Sequence, residues 1–536
     1  MLQTLLSRAG AAGTSLKVLT QAGIVRPYSP KVLVGLARTL KDWGTGPAGG
    51  FASLAVRAPN QIGMIDELGS LTFGEMHRRS NALARALAAL GVKEGDGVAV
   101  MCRNHRGFID ASIAVAKLGA DTLYLNTAFA GPQLVDVLER EKPVVVIHDE
   151  EFTRLLEKAD QGIRVVAWTD SDLTGTDRHT LEALISSESD ADLEPSKRHG
   201  RIIILTSGTT GAPKGAPRNE AGVEAAVALL SRMPLRYGWK THIAAPLFHT
   251  WGFAHLALSM LLGSTVVLRR RFDPEECLRV TEREKCDSIV VIPVMLQRIM
   301  ALPAEVLASY DLGSVKVVAA SGSALPGDLA LEWMDHFGDN LYNIYGSTEV
   351  AYASIATPRD LRESPSSAGK PPWATVVKIL DADGKEVPRG ESGRIFVGNS
   401  LLFEGYTGGG HKDMIDGLMS SGDVGRFDED GRLHVEGRDD EMIVSGGENV
   451  FPQEIEHCLA RHEAVSEVAA LGVDDADFGK RLKAFVVLKE GAQASEEDLK
   501  TWVKDNLARY KVPREIVFLE ELPRNATGKV LKRDLT

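Results

Sequence analysis

Three short apolar runs in this chain end alike. Arg201-Ile-Ile-Ile-Leu205 opens into Thr206-Ser-Gly, Val315-Lys-Val-Val-Ala-Ala320 into Ser321-Gly-Ser323, and Leu341-Tyr-Asn-Ile344 into Tyr345-Gly-Ser-Thr-Glu349. Each reads as a buried strand whose carboxyl end gives way to small, hydroxylated residues. Ligands of open α/β sheets bind outside such strand ends, so one site built from three loops is expected. Strand and helix signals alternate around these runs to about residue 350: a helix over 75–90 closed by Gly91, a strand over 98–101, a helix over 108–118 and a strand over 122–125. That alternation implies an α/β fold with mostly parallel, helix-covered sheet. From about residue 375, Asp383-Gly384, Glu391-Ser-Gly393 and Asp430-Gly431 read as hairpin turns of a β-rich lobe reaching 437. Helices over 452–460 and 495–507, with strands over 465–473 and 482–488, then make a small α+β unit, expected to act as a lid.

Composition narrows the function. With 44% hydrophobic and 25% charged residues, the 536-residue chain is globular rather than disordered. A net charge of −12 without a long Lys/Arg run argues against a nucleic-acid partner, so any anionic ligand must be held by locally placed donors. Cys102, Cys277, Cys286 and Cys458 show neither disulfide nor zinc spacing, which points to a reducing, cytoplasmic setting. No run is long enough to cross a membrane; residues 253–268 read as a helix, turn and strand. Residues 1–41 lack acids but carry Arg8, Lys17, Arg26, Lys31, Arg38 and Lys41 among apolar residues. Three readings of this extension, residues 1–45, stay open: a helix packed on the body, a basic amphipathic contact with an anionic membrane, or a transit peptide.

The strongest local signal is Thr206-Ser-Gly-Thr-Thr-Gly-Ala-Pro-Lys-Gly215. Its glycines let backbone N–H groups converge on a phosphate, its hydroxyls add donors, and Lys214 adds a mobile charge. The run resembles the signature of the adenylate-forming superfamily, which includes the acyl- and aryl-CoA synthetases, and further motifs follow in order to Lys529. The resemblance implies a large adenylation domain over 46–437, a hinge over 438–443 with Asp440 as pivot, and a mobile C-terminal domain over 444–536. ATP, Mg²⁺ and CoA are its implied reactants and cofactor.

Residue by residue, the resemblance implies nucleotide contacts from Thr206, Ser207, Gly208, Thr209, Thr210, Gly211 and Lys214. Others come from Ser321, Gly322, Ser323 and Ala324, from Asn343, Ile344, Tyr345, Gly346, Ser347 and Thr348, and from Asp423 and Arg438. Tyr345 is expected to stack on adenine, Glu349 to hold Mg²⁺, and Asp423 to accept both ribose hydroxyls. Pro246-Leu-Phe-His-Thr-Trp-Gly-Phe253 resembles the aromatic gate; His249, Trp251, Phe253 and Ser323 would line the acyl pocket. Ser445, Gly446 and Gly447 would line the CoA channel. Lys529 matches the catalytic lysine, acting with Thr348, Glu349 and His249. No acid lies over 244–263 to pair a substrate ammonium, so an uncharged, fatty acyl tail is expected. An acyl-AMP ligase loading a carrier protein and a non-catalytic lipid- or nucleotide-binding membrane protein are the alternatives.

Overall fold

The computed structural model describes residues 13–129, 131–171, 179–206, 214–218, 223–403, 405, 411–439, 443–445, 448–450, 452–475, 479–507, 511–524 and 529–535. Two large sheets form the body. The first runs His179–Thr180, Ile163–Trp168, Val145–Asp149, Gly97–Met101, Asp121–Tyr124, Ile202–Thr206, Lys214–Arg218. It is parallel except for its last, antiparallel pair. The second runs Ser354–Ala356, Leu341–Tyr345, Val317–Ala320, Ser288–Val291, Lys240–Ile243, Thr265–Val267, Ile62–Asp66, Gly69–Thr72, parallel between two antiparallel edges. The fold is therefore α/β, as the alternating pattern required, but the three loop-opening strands do not share one sheet. Ile202–Thr206 lies in the first, and Val317–Ala320 pairs with Leu341–Tyr345 in the second. Local apolar character marks a strand without saying which sheet receives it.

Each sheet contains a topological switch. The strands that follow Gly97–Met101 in sequence lie on opposite sides of it, and the same holds for Lys240–Ile243. Crevices open at the carboxyl ends of such strands. One apolar core joins the sheets: Val98, Val100 and Tyr124 from the first pack in the same cluster as Ile243, Val290 and Val318 from the second. The helix Phe73–Ala89 contributes to it, started by a reciprocal capping box between Thr72 and Glu75 and ended at Leu90, one residue before Gly91.

Strands between Val376 and Arg438 form a separate five-stranded antiparallel sheet with its own small core. The tail builds another, in which Val465–Asp475 and Gly479–Leu488 pair along their length and helices Pro452–Ala460 and Glu496–Asn506 share one core with them. At the amino end, helix Pro30–Trp43 buries none of its residues completely. Val32 and Leu36 are half-buried, whereas Leu33, Val34 and Leu40 remain exposed.

Candidate functional site

The two switch points are bonded to each other by one side chain. Asn104, in the loop after Gly97–Met101, donates from Nδ2 to the carbonyls of Ile243 (3.1 Å) and Ala245 (2.9 Å). Its Oδ1 accepts the Leu247 N–H at 2.9 Å. The loop leaving Lys240–Ile243 is thereby fixed before it reaches His249. Nothing local in the sequence marks this role, since the partners lie about 140 residues apart. The usable signal is the same as for the three runs above: a polar residue at the carboxyl end of an apolar strand.

His249 is the N-cap residue of helix Thr250–Leu262. Burial first, and the charge of Lys529 second, push its imidazole down to about 4, so it is neutral at pH 7. Trp251 is buried, and its indole N–H donates to the Val291 carbonyl at 2.9 Å. Phe253 rests on Tyr124 of the first sheet, ring centroids 5.1 Å apart. A side chain at Gly322 would lie 3.4 Å from Ile292. Trp251, Val291, Ile292 and Gly322 thus form a continuous apolar wall between helix and sheet. Ser323 and Ala324 are exposed at its rim.

The neighbouring strands carry the polar side. Ser321 Oγ donates to the Ile344 carbonyl at 2.8 Å, tying the two loops together. Asn343 is buried, and its Oδ1 has no partner among the described residues. Gly346 packs directly against backbone: a Cβ there would meet the Ala351 carbonyl oxygen at 2.2 Å. Ser347 Oγ accepts the N–H groups of Glu349 (3.2 Å) and Val350 (3.3 Å). The Glu349 carbonyl accepts from Phe403 N–H at 2.9 Å, which leaves Thr348 and Glu349 partly exposed on a fixed turn.

The antiparallel lobe closes this side. Strands Leu418–Phe427 and Leu433–Arg438 set Asp423 opposite Arg438, and the Arg438 guanidinium donates to Asp423 Oδ1 at 3.3 Å. The Tyr345 hydroxyl donates to Asp423 Oδ2, so this tyrosine offers a hydroxyl anchor as well as a ring. Burial raises the Asp423 carboxyl, opposed by the Tyr345 hydrogen bond and by the charges of Arg438 and Lys529. Gly422 has φ +81, and a Cβ there would sit 3.2 Å from both Arg438 Nη1 and Lys412 Nζ. Only glycine takes this conformation without strain.

Lys529 belongs to the tail. An antiparallel bridge pairs Arg524 with Val530. Ion pairs Arg524–Glu467 (2.9 Å) and Lys532–Glu456 (3.0 Å) hold the flanks of this segment. Its charge acts on both His249 and Asp423. The structure therefore brings together residues from the gate, the antiparallel lobe and the tail. Ser207, Gly208, Thr209, Thr210, Gly211, Asp440, Gly446 and Gly447 lie outside the described residues, as do the side chains of Thr206, Lys214 and Ser445. Register does pair Thr206 with Lys214 across two antiparallel strands. Among described residues, sequence reasoning missed Asn104 and Ile292.

Residues 51–407 match the AMP-binding enzyme family model, and residues 454–529 match the AMP-binding enzyme C-terminal domain. A feruloyl-CoA synthase of Amycolatopsis sp is 33% identical over 472 residues, covering 87% of this chain and 93% of that protein. A 2-succinylbenzoate–CoA ligase of Geobacillus kaustophilus is 34% identical over 489 residues, covering 90% and 96%. The crystal structure of an anthranilate CoA ligase in complex with anthranoyl-AMP superposes with a TM-score of 0.82 at 26% identity, covering 91% and 96%.

Proposed function

The chain belongs to the AMP-binding enzyme family, and from that premise we propose that it is an adenylate-forming acid–CoA ligase. ATP and a carboxylic acid give acyl-AMP and pyrophosphate; the CoA thiol then displaces AMP. The observation that carries this reading is the anchor in which the Tyr345 hydroxyl and the Arg438 guanidinium both donate to Asp423 beside the gate, in a chain that matches both family domains. The attack of a carboxylate on the α-phosphorus brings two anions together, and charge builds on phosphate oxygens. A cation delivered between the acid gate and the ribose anchor is where that charge needs it. Neutral His249 adds no charge of its own at the gate.

Asn343 Oδ1 suits the exocyclic amine of adenine, since a buried acceptor without a partner costs about 1–3 kcal/mol. Asp423, fixed by Tyr345 and Arg438, takes the ribose hydroxyls. Glu349 fits Mg²⁺, which takes one or two carboxylates and fills its remaining positions with phosphate oxygens and water. When bound, Mg²⁺ neutralises phosphate charge. For thioester formation the tail, residues 444–536, turns about Asp440 and brings Ser445, Gly446 and Gly447 to the thiol path.

The acid has an uncharged tail, in keeping with the apolar wall of Trp251, Ile292 and Gly322. Aromatic acids are the first reading, because feruloyl, succinylbenzoate and anthranilate ligases are among the similar proteins. Fatty acids are the second, because that wall matches a saturated chain equally well. A panel of aromatic and straight-chain acids, scored for pyrophosphate with and without CoA, tests this. Acid-dependent pyrophosphate release and CoA thioester are expected; release by no acid would refute the ligase reading.

Residues 1–45 further make a peripheral contact with an anionic membrane, through exposed Leu33, Val34 and Leu40 flanked by Lys31, Arg38 and Lys41. Among the described residues no helix is long and apolar enough to cross a membrane. Deletion of 1–45 should abolish sedimentation with phosphatidylserine vesicles. Unchanged sedimentation would remove this contact.

A further inference from the structure

Helix Thr250–Leu262 is apolar on nearly every side, yet it carries a buried imidazole. His255 is 2% exposed. Its Nε2 has no hydrogen-bond partner among the described residues. Leaving such an atom buried and unpaired costs about 1–3 kcal/mol, and a leucine here would avoid that cost. Native structures satisfy nearly all buried polar atoms, so an orphan among the described residues is a place where a bound group can supply the missing partner.

Its position says where that partner sits. His255 lies one helical turn beyond Trp251, and the two rings meet edge to face, centroids 4.3 Å apart. The other end of the indole is fixed, because its N–H is spent on the Val291 carbonyl. Trp251 therefore cannot swing to satisfy His255. The imidazole packs against Trp251 of that wall, on the same helix that starts at the gate residue His249. Burial pushes it down to about 3, so it is neutral at any working pH. A neutral imidazole nitrogen accepts or donates a hydrogen bond without attracting a charged tail.

We propose that His255 is the polar specificity determinant of the acid pocket, pairing through Nε2 with a hydroxyl or similar uncharged polar group on the tail of the substrate. The inference rests on the acid–CoA ligase reading and names the substrate class within it: acids apolar along most of their length, with one hydrogen-bonding group remote from the carboxylate. A site built to pair such a group discriminates against the analogue lacking it far more strongly than an apolar pocket discriminates a methylene.

The test compares matched acids differing by a single remote hydroxyl, aromatic and aliphatic, by kcat/KM for pyrophosphate release. The wild-type enzyme should prefer the hydroxylated member of at least one pair by ~10-fold or more. His255→Phe should erase that preference while leaving the plain acid within about threefold, and His255→Gln should restore part of it. No preference in any pair by the wild-type enzyme would overturn the proposal, as would a preference that survives His255→Phe. If His255→Phe fails to fold, His255→Leu takes its place in the same comparison, with the same two outcomes. Absence of pyrophosphate release with every acid would instead strike the ligase reading itself.

Discussion

The gate and the tail hold their key residues by opposite means. At the gate, Asn104 spends both Nδ2 hydrogens and its Oδ1 on three buried backbone groups, and Trp251 spends its only N–H on a fourth. Lys529 is exposed on a segment whose flanks are held by the half-buried pairs Arg524–Glu467 and Lys532–Glu456. Buried, satisfied hydrogen bonds define one geometry, whereas ion pairs still open to water are weakened by it and can be exchanged. A wall that recognises its substrate needs the first kind of support. A cation that must be present for one half-reaction and absent for the next needs the second.

Substitutions can sharpen or break that contrast. Lys529→Ala should lower the adenylation rate by ~10²–10³, about 3–4 kcal/mol, with the melting temperature unchanged. CoA-dependent consumption of preformed acyl-AMP should persist. Equal loss of both half-reactions would place Lys529 in the fixed frame instead. Asn104→Ala should do the reverse in kind. It strands two buried carbonyls and one N–H, so it should destabilise the body by about 3 kcal/mol in urea unfolding and raise KM for the acid. An unaltered denaturation midpoint would show that the gate loop does not depend on this bond set.

A substitution away from the site probes the frame through its pH dependence. Lys117 is 2% exposed and donates to Asn81 Oδ1 at 2.6 Å and Ser80 Oγ at 2.8 Å. Burial lowers its ammonium from 10.5 to about 7. Between those two values the unfolded chain binds the proton and the folded chain does not, so stability should rise with pH from 7 to 10.5. Lys117→Met should flatten that slope; an identical slope in the variant would assign it to other groups.

Much of this was legible from local rules. The helix expected over 75–90 and the helix, turn and strand expected over 253–268 became helix Phe73–Ala89 and helix Thr250–Leu262 followed by strand Thr265–Val267. The ordered motifs pointed to a family that residues 51–407 then matched. What local pattern could not convey was long-range pairing. Tyr345 meets Asp423 across 78 residues, and Asn104 meets Ala245 across 141. The assignment of Ile202–Thr206 to a different sheet from Val317–Ala320 has the same origin. The identity of the acid was illegible for another reason: an apolar wall favours burial of any apolar tail in proportion to its area.

The central claim is that gate, antiparallel lobe and tail meet around one nucleotide. An adenosine carrying an electrophilic sulfonyl fluoride beyond its 5′ position tests it most directly, with the modified residue mapped by peptide mass spectrometry. The account predicts labelling of Lys529 that ATP suppresses. Labelling confined to other lysines, or modification of Lys529 that saturating ATP leaves untouched, would contradict it.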